Sequence, residues 1–191
     1  MGDQEKGIRL EGIIYASPYD PSAPGKQFLG VTIECSDAKV WVIDYEEQSP
    51  FHSFARRQVI AFGEPYNPKG QYLISRSGGK TLGHFRPSCV RLVEVTDDAE
   101  LLEIGALYDL RGRFEYGIAE TDESVLSFVT EKGDAFVVAN DPVGAKVNIS
   151  LQVSAYPVQL SPSHLRLPGR YLWVICPYSA ADLWKWHGRR S

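Results

Sequence analysis

The chain has 191 residues, of which 43% are hydrophobic and 23% charged, with a formal net charge of −4. An ordinary apolar fraction and a small net charge exclude a disordered chain, and the length suits one large domain or two small ones. No apolar run reaches the ~18 residues of a membrane span, Met1–Lys6 lacks the apolar stretch of a secretory signal, and the net charge excludes a protein basic all over.

Taken in chain order, Val, Ile and aromatic residues predict strands at Ile8–Ala16, Phe28–Glu34, Lys39–Tyr45, Gln58–Phe62 and Cys89–Val95. Turn residues separate them, above all Ser17–Pro21 and Pro65–Gly70. Ser49–Arg57 predicts a short helix, with Ser49 as cap, Pro50 in its first turn, and Phe51 and Phe54 on one face. Residues 96–106 are expected to be an acidic linker, with a short helix over Asp97–Leu102. Strands then follow at Leu107–Tyr116, Ser124–Glu131, Ala135–Ala139, Lys146–Tyr156 and His164–Leu167. A tail, Gly169–Ser191, holds a further strand-like run (Tyr171–Ile175) and ends rich in Trp and Arg.

Charge is segregated along this order. Residues 1–64 sum to −4, residues 65–93 to +5 without a single carboxylate, residues 94–141 to −10, and residues 142–191 to +5. The three cysteines, Cys35, Cys89 and Cys176, form no CxxC pair, which suits a reducing, cytoplasmic compartment rather than a disulfide framework. No metal-ligand spacing joins them to the histidines, so neither metal nor cofactor is expected.

The halves echo one another in order. Leu10-Glu11-Gly12 matches Leu110-Arg111-Gly112, and Asp37-Ala38 matches Asp134-Ala135. Gln58–Phe62 matches Gln152–Tyr156, and Pro87–Leu92 matches Pro162–Leu167. About five strands per half suit a small closed barrel, which removes exposed edges. The first half, with its short helix between strands 3 and 4 and a glycine bending strand 1, resembles the OB-fold. The expected architecture is therefore all-β. It consists of an OB-like barrel over 1–95 with a long basic loop 63–85, a smaller OB-like barrel over 107–168, and the tail 169–191.

That resemblance implies a surface on strands 2–3 flanked by the loop between strands 4 and 5, used for single-stranded nucleic acid. The loop and the strand after it offer Lys69, Arg76, Lys80, Arg86 and Arg91 for phosphates, with Tyr72 and Phe85 for base stacking. On strand 3, Trp41, Ile43 and Tyr45 share a face, and Asp44 on the other face favours the Trp41 set as core. Ser77–Thr81 resembles the end of a phosphate loop, but Ile74 stands where its first glycine belongs and no long helix follows. No catalytic arrangement of Ser, His, Asp or paired carboxylates emerges, so no enzyme is expected. The alternative is a protein-interaction module, such as an adaptor, assembly subunit or inhibitor. It would use the acidic block and the tail residues Trp184, Trp186, Arg189 and Arg190, types enriched at interface hot spots.

Overall fold

A computed structural model of the chain describes residues 7–16, 31–43, 49–66, 82–118, 124–142 and 145–178. The chain divides into two units, Met1–Gly105 and Ala106–Ser191.

In the first unit, β1 (Ile8–Ala16) alternates strictly, with Leu10, Gly12 and Ile14 buried and Arg9, Glu11, Ile13 and Tyr15 outward. Its second half pairs with β2 (Val31–Cys35) and its first half with β4 (Gln58–Tyr66), both antiparallel. Gly12 sits at the changeover, in register with both Cys35 and Val59. A Cβ there would come 2.4 Å from the Glu34 carbonyl oxygen, so β2 closes on β1 only because that side chain is missing. A tight turn carries β2 into β3 (Val40–Ile43), with Ala38 in the left-handed region at φ 64° and the Asp37 carboxylate accepting from the Lys39 N–H.

β3 then runs parallel to the start of β5 (Leu82–Leu92), and β5 pairs antiparallel with β4. The order β1-β2-β3-β5-β4-β1 closes a small five-stranded barrel, and β6 (Leu101–Gly105) adds an extra strand against β5. Between β3 and β4, the expected helix is a single 3-10 stretch, Ser49–Phe54. Residues i and i+3 eclipse in that geometry, which puts Phe51 and Phe54 together, both fully buried. Arg56, left-handed at φ 64°, ends it and returns its N–H to the Ile14 carbonyl.

Two expectations are corrected here. The connection between β4 and β5 is residues 67–81, shorter than 63–85. Gly63 marks a bulge inside β4 rather than its end, and Leu82–Phe85 lie in register with Val40–Ile43. The stretch expected as a linker with a short helix instead carries β6. Ala99 closes a turn onto Thr96, and Leu101 and Ile104 are buried.

In the second unit, β7 (Tyr108–Ile118) pairs antiparallel with β8 (Ser124–Thr130) and with β10 (Ser150–Leu160). β8 pairs antiparallel with β9 (Ala135–Val138), β9 lies parallel to β11 (Tyr171–Tyr178), and β11 returns antiparallel to β10. The core gathers Phe114, Phe128, Leu151, Val153, Leu172 and Val174, with Phe114 and Phe128 edge-to-face at 5.2 Å. Beyond β9, the Asn140 amide imitates a further strand residue. It donates to the Val174 carbonyl at 2.7 Å and accepts from the Val174 N–H at 2.9 Å.

The strand expected at His164–Leu167 is absent. Pro162–His164 is a 3-10 turn, and the buried Tyr171 hydroxyl holds the following bend. It accepts from the Arg166 and Leu167 N–H groups and donates to the Leu167 carbonyl. The strand expected in the tail is β11, which pairs within this unit. Residues 179–191 of the tail lie outside the described residues. Among the described residues, no helix is long and apolar enough to cross a membrane.

Candidate functional site

The predicted phosphate contacts divide between the 67–81 connection and β5. Lys69, Tyr72, Arg76 and Lys80 lie outside the described residues, as do the predicted partner contacts Trp184, Trp186, Arg189 and Arg190. Arg86 and Arg91 are both exposed on β5. Phe85 is not a stacking platform. It is fully buried, inside the barrel, and meets Trp41 edge-to-face with ring centroids 6.2 Å apart.

Register explains Phe85. Ile14 faces Ile33, Ile33 faces Trp41, and Ile43 on the same side of β3 faces Phe85. Residues opposite each other across a ladder share a face, so the buried Ile14 and Ile33 put Trp41 and Phe85 inward. Trp41, expected in the core, is half-buried: it packs against Phe85 and also borders a surface groove. Tyr45 lies outside the described residues. Val40 and Val42, on the other face of β3, are buried.

The two described cations of the predicted site face acidic neighbours. Arg86 lies opposite Glu64 on β4, and Arg91 lies opposite Glu103 on β6. Arg91 also places its guanidinium over the Phe62 ring, 5.6 Å from the centroid. Phe62, which the sequence reading did not single out, stands in register between Arg9 and Cys89. Only the β4–β5 pairing, which sets Phe62 diagonally across from Arg91, brings that ring beside it, since no local motif links them.

A second feature had no counterpart in the sequence reading. A groove of about 910 Å³ follows β1 from Ile8 to Ile13 and includes Tyr15, bounded across from it by Glu34–Asp37, Lys39 and Trp41. Its charges are mixed. Arg9 pairs with Glu11 at 2.8 Å and Lys39 with Asp37 at 3.0 Å, while Gln58 donates to Glu11 at 3.2 Å. The Lys39 side chain and N–H hold the Asp37 carboxyl below the usual carboxylate range. Burial and the Asp37 charge push the Cys35 thiol up, and the Glu11 backbone N–H directed at its sulfur opposes them. With Glu34, carboxylates outnumber cations in the lining by three to two.

Among the described residues, no three His, Cys, Asp or Glu side chains stand together in a way that could hold a metal ion. No protein-family model, no curated protein and no solved structure matches this chain.

Proposed function

We propose that the chain is a non-enzymatic binding protein built on two OB-type barrels in tandem, and that its ligand is single-stranded nucleic acid. The OB assignment is supported by the pairing order of the first unit, with its parallel β3–β5 contact and its helical turn between β3 and β4. The tandem is supported by the second unit, whose strands follow the same succession of pairings in the same orientations.

Three of the four sequence echoes fall at corresponding places. Leu10-Glu11-Gly12 lies in β1 and Leu110-Arg111-Gly112 in β7. Asp37-Ala38 precedes β3, and Asp134-Ala135 leads into β9. Gln58–Phe62 lies in β4 and Gln152–Tyr156 in β10. The fourth does not correspond, because Pro87–Leu92 is strand and Pro162–Leu167 is turn and bend.

One observation carries the ligand assignment. The 29 residues without a carboxylate, 65–93, are the end of β4, the 67–81 connection and the whole of β5. In OB barrels this connection flanks the binding face. Cations there neutralise phosphates, and an aromatic ring such as Tyr72 adds about 1–3 kcal/mol per stacked base. The proposed setting is the cytoplasm, where thiols outside disulfides, such as those of Cys35 and Cys89, are kept reduced. Fluorescence anisotropy with labelled oligothymidylate tests the reading: saturable binding is expected at about 50 mM salt, and no binding there overturns it.

A further inference from the structure

We infer, resting on the nucleic-acid reading, that the second unit makes phosphate contacts of its own, through His164 and Arg166 on the bend between β10 and β11. Residues 142–181 contain no Asp or Glu, a longer carboxylate-free run than 65–93. The run takes in all of β10, the 161–170 connection and all of β11. In the succession of pairings these are the counterparts of β4, the 67–81 connection and β5. Burial accounts for the lack of carboxylates in much of the two strands. It does not account for it in the connection, where Pro162–Arg166 and Pro168–Arg170 are exposed. An exposed segment that carries cations and no carboxylate suits a polyanion.

Hydrogen bonds from behind fix the shape of this bend. Pro162–His164 is a 3-10 turn, in which the hydroxyls of the buried Ser161 and of Ser163 both reach His164 Nδ1, at 2.7 and 3.1 Å. A hydroxyl that donates to Nδ1 leaves the ring N–H on Nε2, at the far side of an exposed imidazole. Two residues on, the Tyr171 hydroxyl accepts from the N–H groups of Arg166 at 3.0 Å and Leu167 at 2.9 Å, and donates to the Leu167 carbonyl at 2.6 Å. The backbone under Arg166 is thereby held while its side chain stays exposed.

An imidazole N–H and a guanidinium are both donors to phosphate oxygens, and a backbone set in advance lowers the ordering cost of binding. Leu165 between them is 50% exposed and offers apolar contact to a sugar or base. Arg170, the other cation of the connection, is already committed. It pairs with Asp134 at 2.9 Å and lies 4.4 Å from the centroid of the Phe136 ring. That pairing also takes up the charge of Asp134, the carboxylate that reaches this connection from the turn before β9.

The test is oligothymidylate binding to the full chain over a salt series, for Arg166→Glu, His164→Ala and Lys132→Glu. Lys132 is exposed on the turn between β8 and β9, flanked by Glu131 and Asp134, and its substitution changes the net charge by the same amount as Arg166→Glu. Loss of one phosphate contact in Arg166→Glu should flatten the slope of log K against log salt by about 0.7. His164→Ala, which removes one hydrogen bond, should weaken binding about two- to tenfold. Lys132→Glu should keep the slope of the unchanged chain. An unchanged slope in Arg166→Glu, an unchanged affinity in His164→Ala, or an equal flattening in Lys132→Glu overturns the assignment to this bend and leaves the first unit's contacts standing. Absence of binding by the unchanged chain at about 50 mM salt overturns both.

Discussion

The indole of Trp41 occupies the space that a side chain at Gly83 would need. An ideal Cβ on Gly83 would lie 2.7 Å from Trp41 Cζ3 and 2.8 Å from Cε3. The two residues are partners in the parallel β3–β5 register, the seam that closes the barrel, and the indole rests edge-on against Phe85. Gly83→Ala should therefore push the indole off its seat and cost about 1–3 kcal/mol, read as a lower urea midpoint with altered tryptophan emission. Phe85→Ala empties a fully buried site and should cost about 3–5 kcal/mol. A stable Phe85→Ala protein would mean that Phe85 is a surface ring after all.

Local pattern and long-range pairing were legible to different degrees. The alternation in Ile8–Ala16 announced β1 to its ends, and the Phe51/Phe54 spacing announced a helical turn with one buried face. Pairing partners left no such mark. His164–Leu167 reads as strand, yet what meets β9 is Tyr171–Leu172, more than thirty residues along the chain. Leu82–Phe85 reads as loop because it begins Leu-Gly-His, but parallel pairing with β3 makes it strand. The groove was illegible for the same reason. It exists because β1 changes partners at Gly12, and no residue type encodes the place where a partner strand stops.

Gly112 should tolerate no side chain, because its neighbours are backbone. A Cβ would fall 2.1 Å from the Val129 carbonyl oxygen and 2.8 Å from Thr130 Cα, neither of which can rotate away. Gly112→Ala is expected to cost about 3 kcal/mol or more. Gly117 lies on the same strand, where a Cβ would meet only the Val125 oxygen at 3.9 Å. Gly117→Ala should be neutral or stabilising by up to about 1 kcal/mol, since alanine loses less chain entropy. Urea unfolding of the two variants side by side checks the contrast.

Acid should loosen the turn that leads into β6. Hydrogen bonds from Thr96 and then Arg57 hold the Asp98 carboxyl below its ordinary value, with Arg57 Nη2 at 2.7 Å. A lowered native pKa means that the ionised group stabilises the fold fully above the unfolded value of about 3.9 and loses that contribution as pH falls through the native pKa. Arg57→Ala and Thr96→Val should each move the Asp98 titration upward in a carboxyl NMR experiment. Their stability deficit against the unchanged chain should shrink between about pH 6 and pH 2. A deficit independent of pH would contradict the assignment.

The most direct test of the nucleic-acid reading is the salt dependence of oligothymidylate binding, measured for the unchanged chain and for Arg76→Glu with Lys80→Glu. If the β4–β5 connection tracks the phosphates, log K against log salt falls steeply for the unchanged chain. Loss of two phosphate contacts should then flatten the slope by about 1.4. Identical slopes, or no binding by the unchanged chain at about 50 mM salt, would contradict the account.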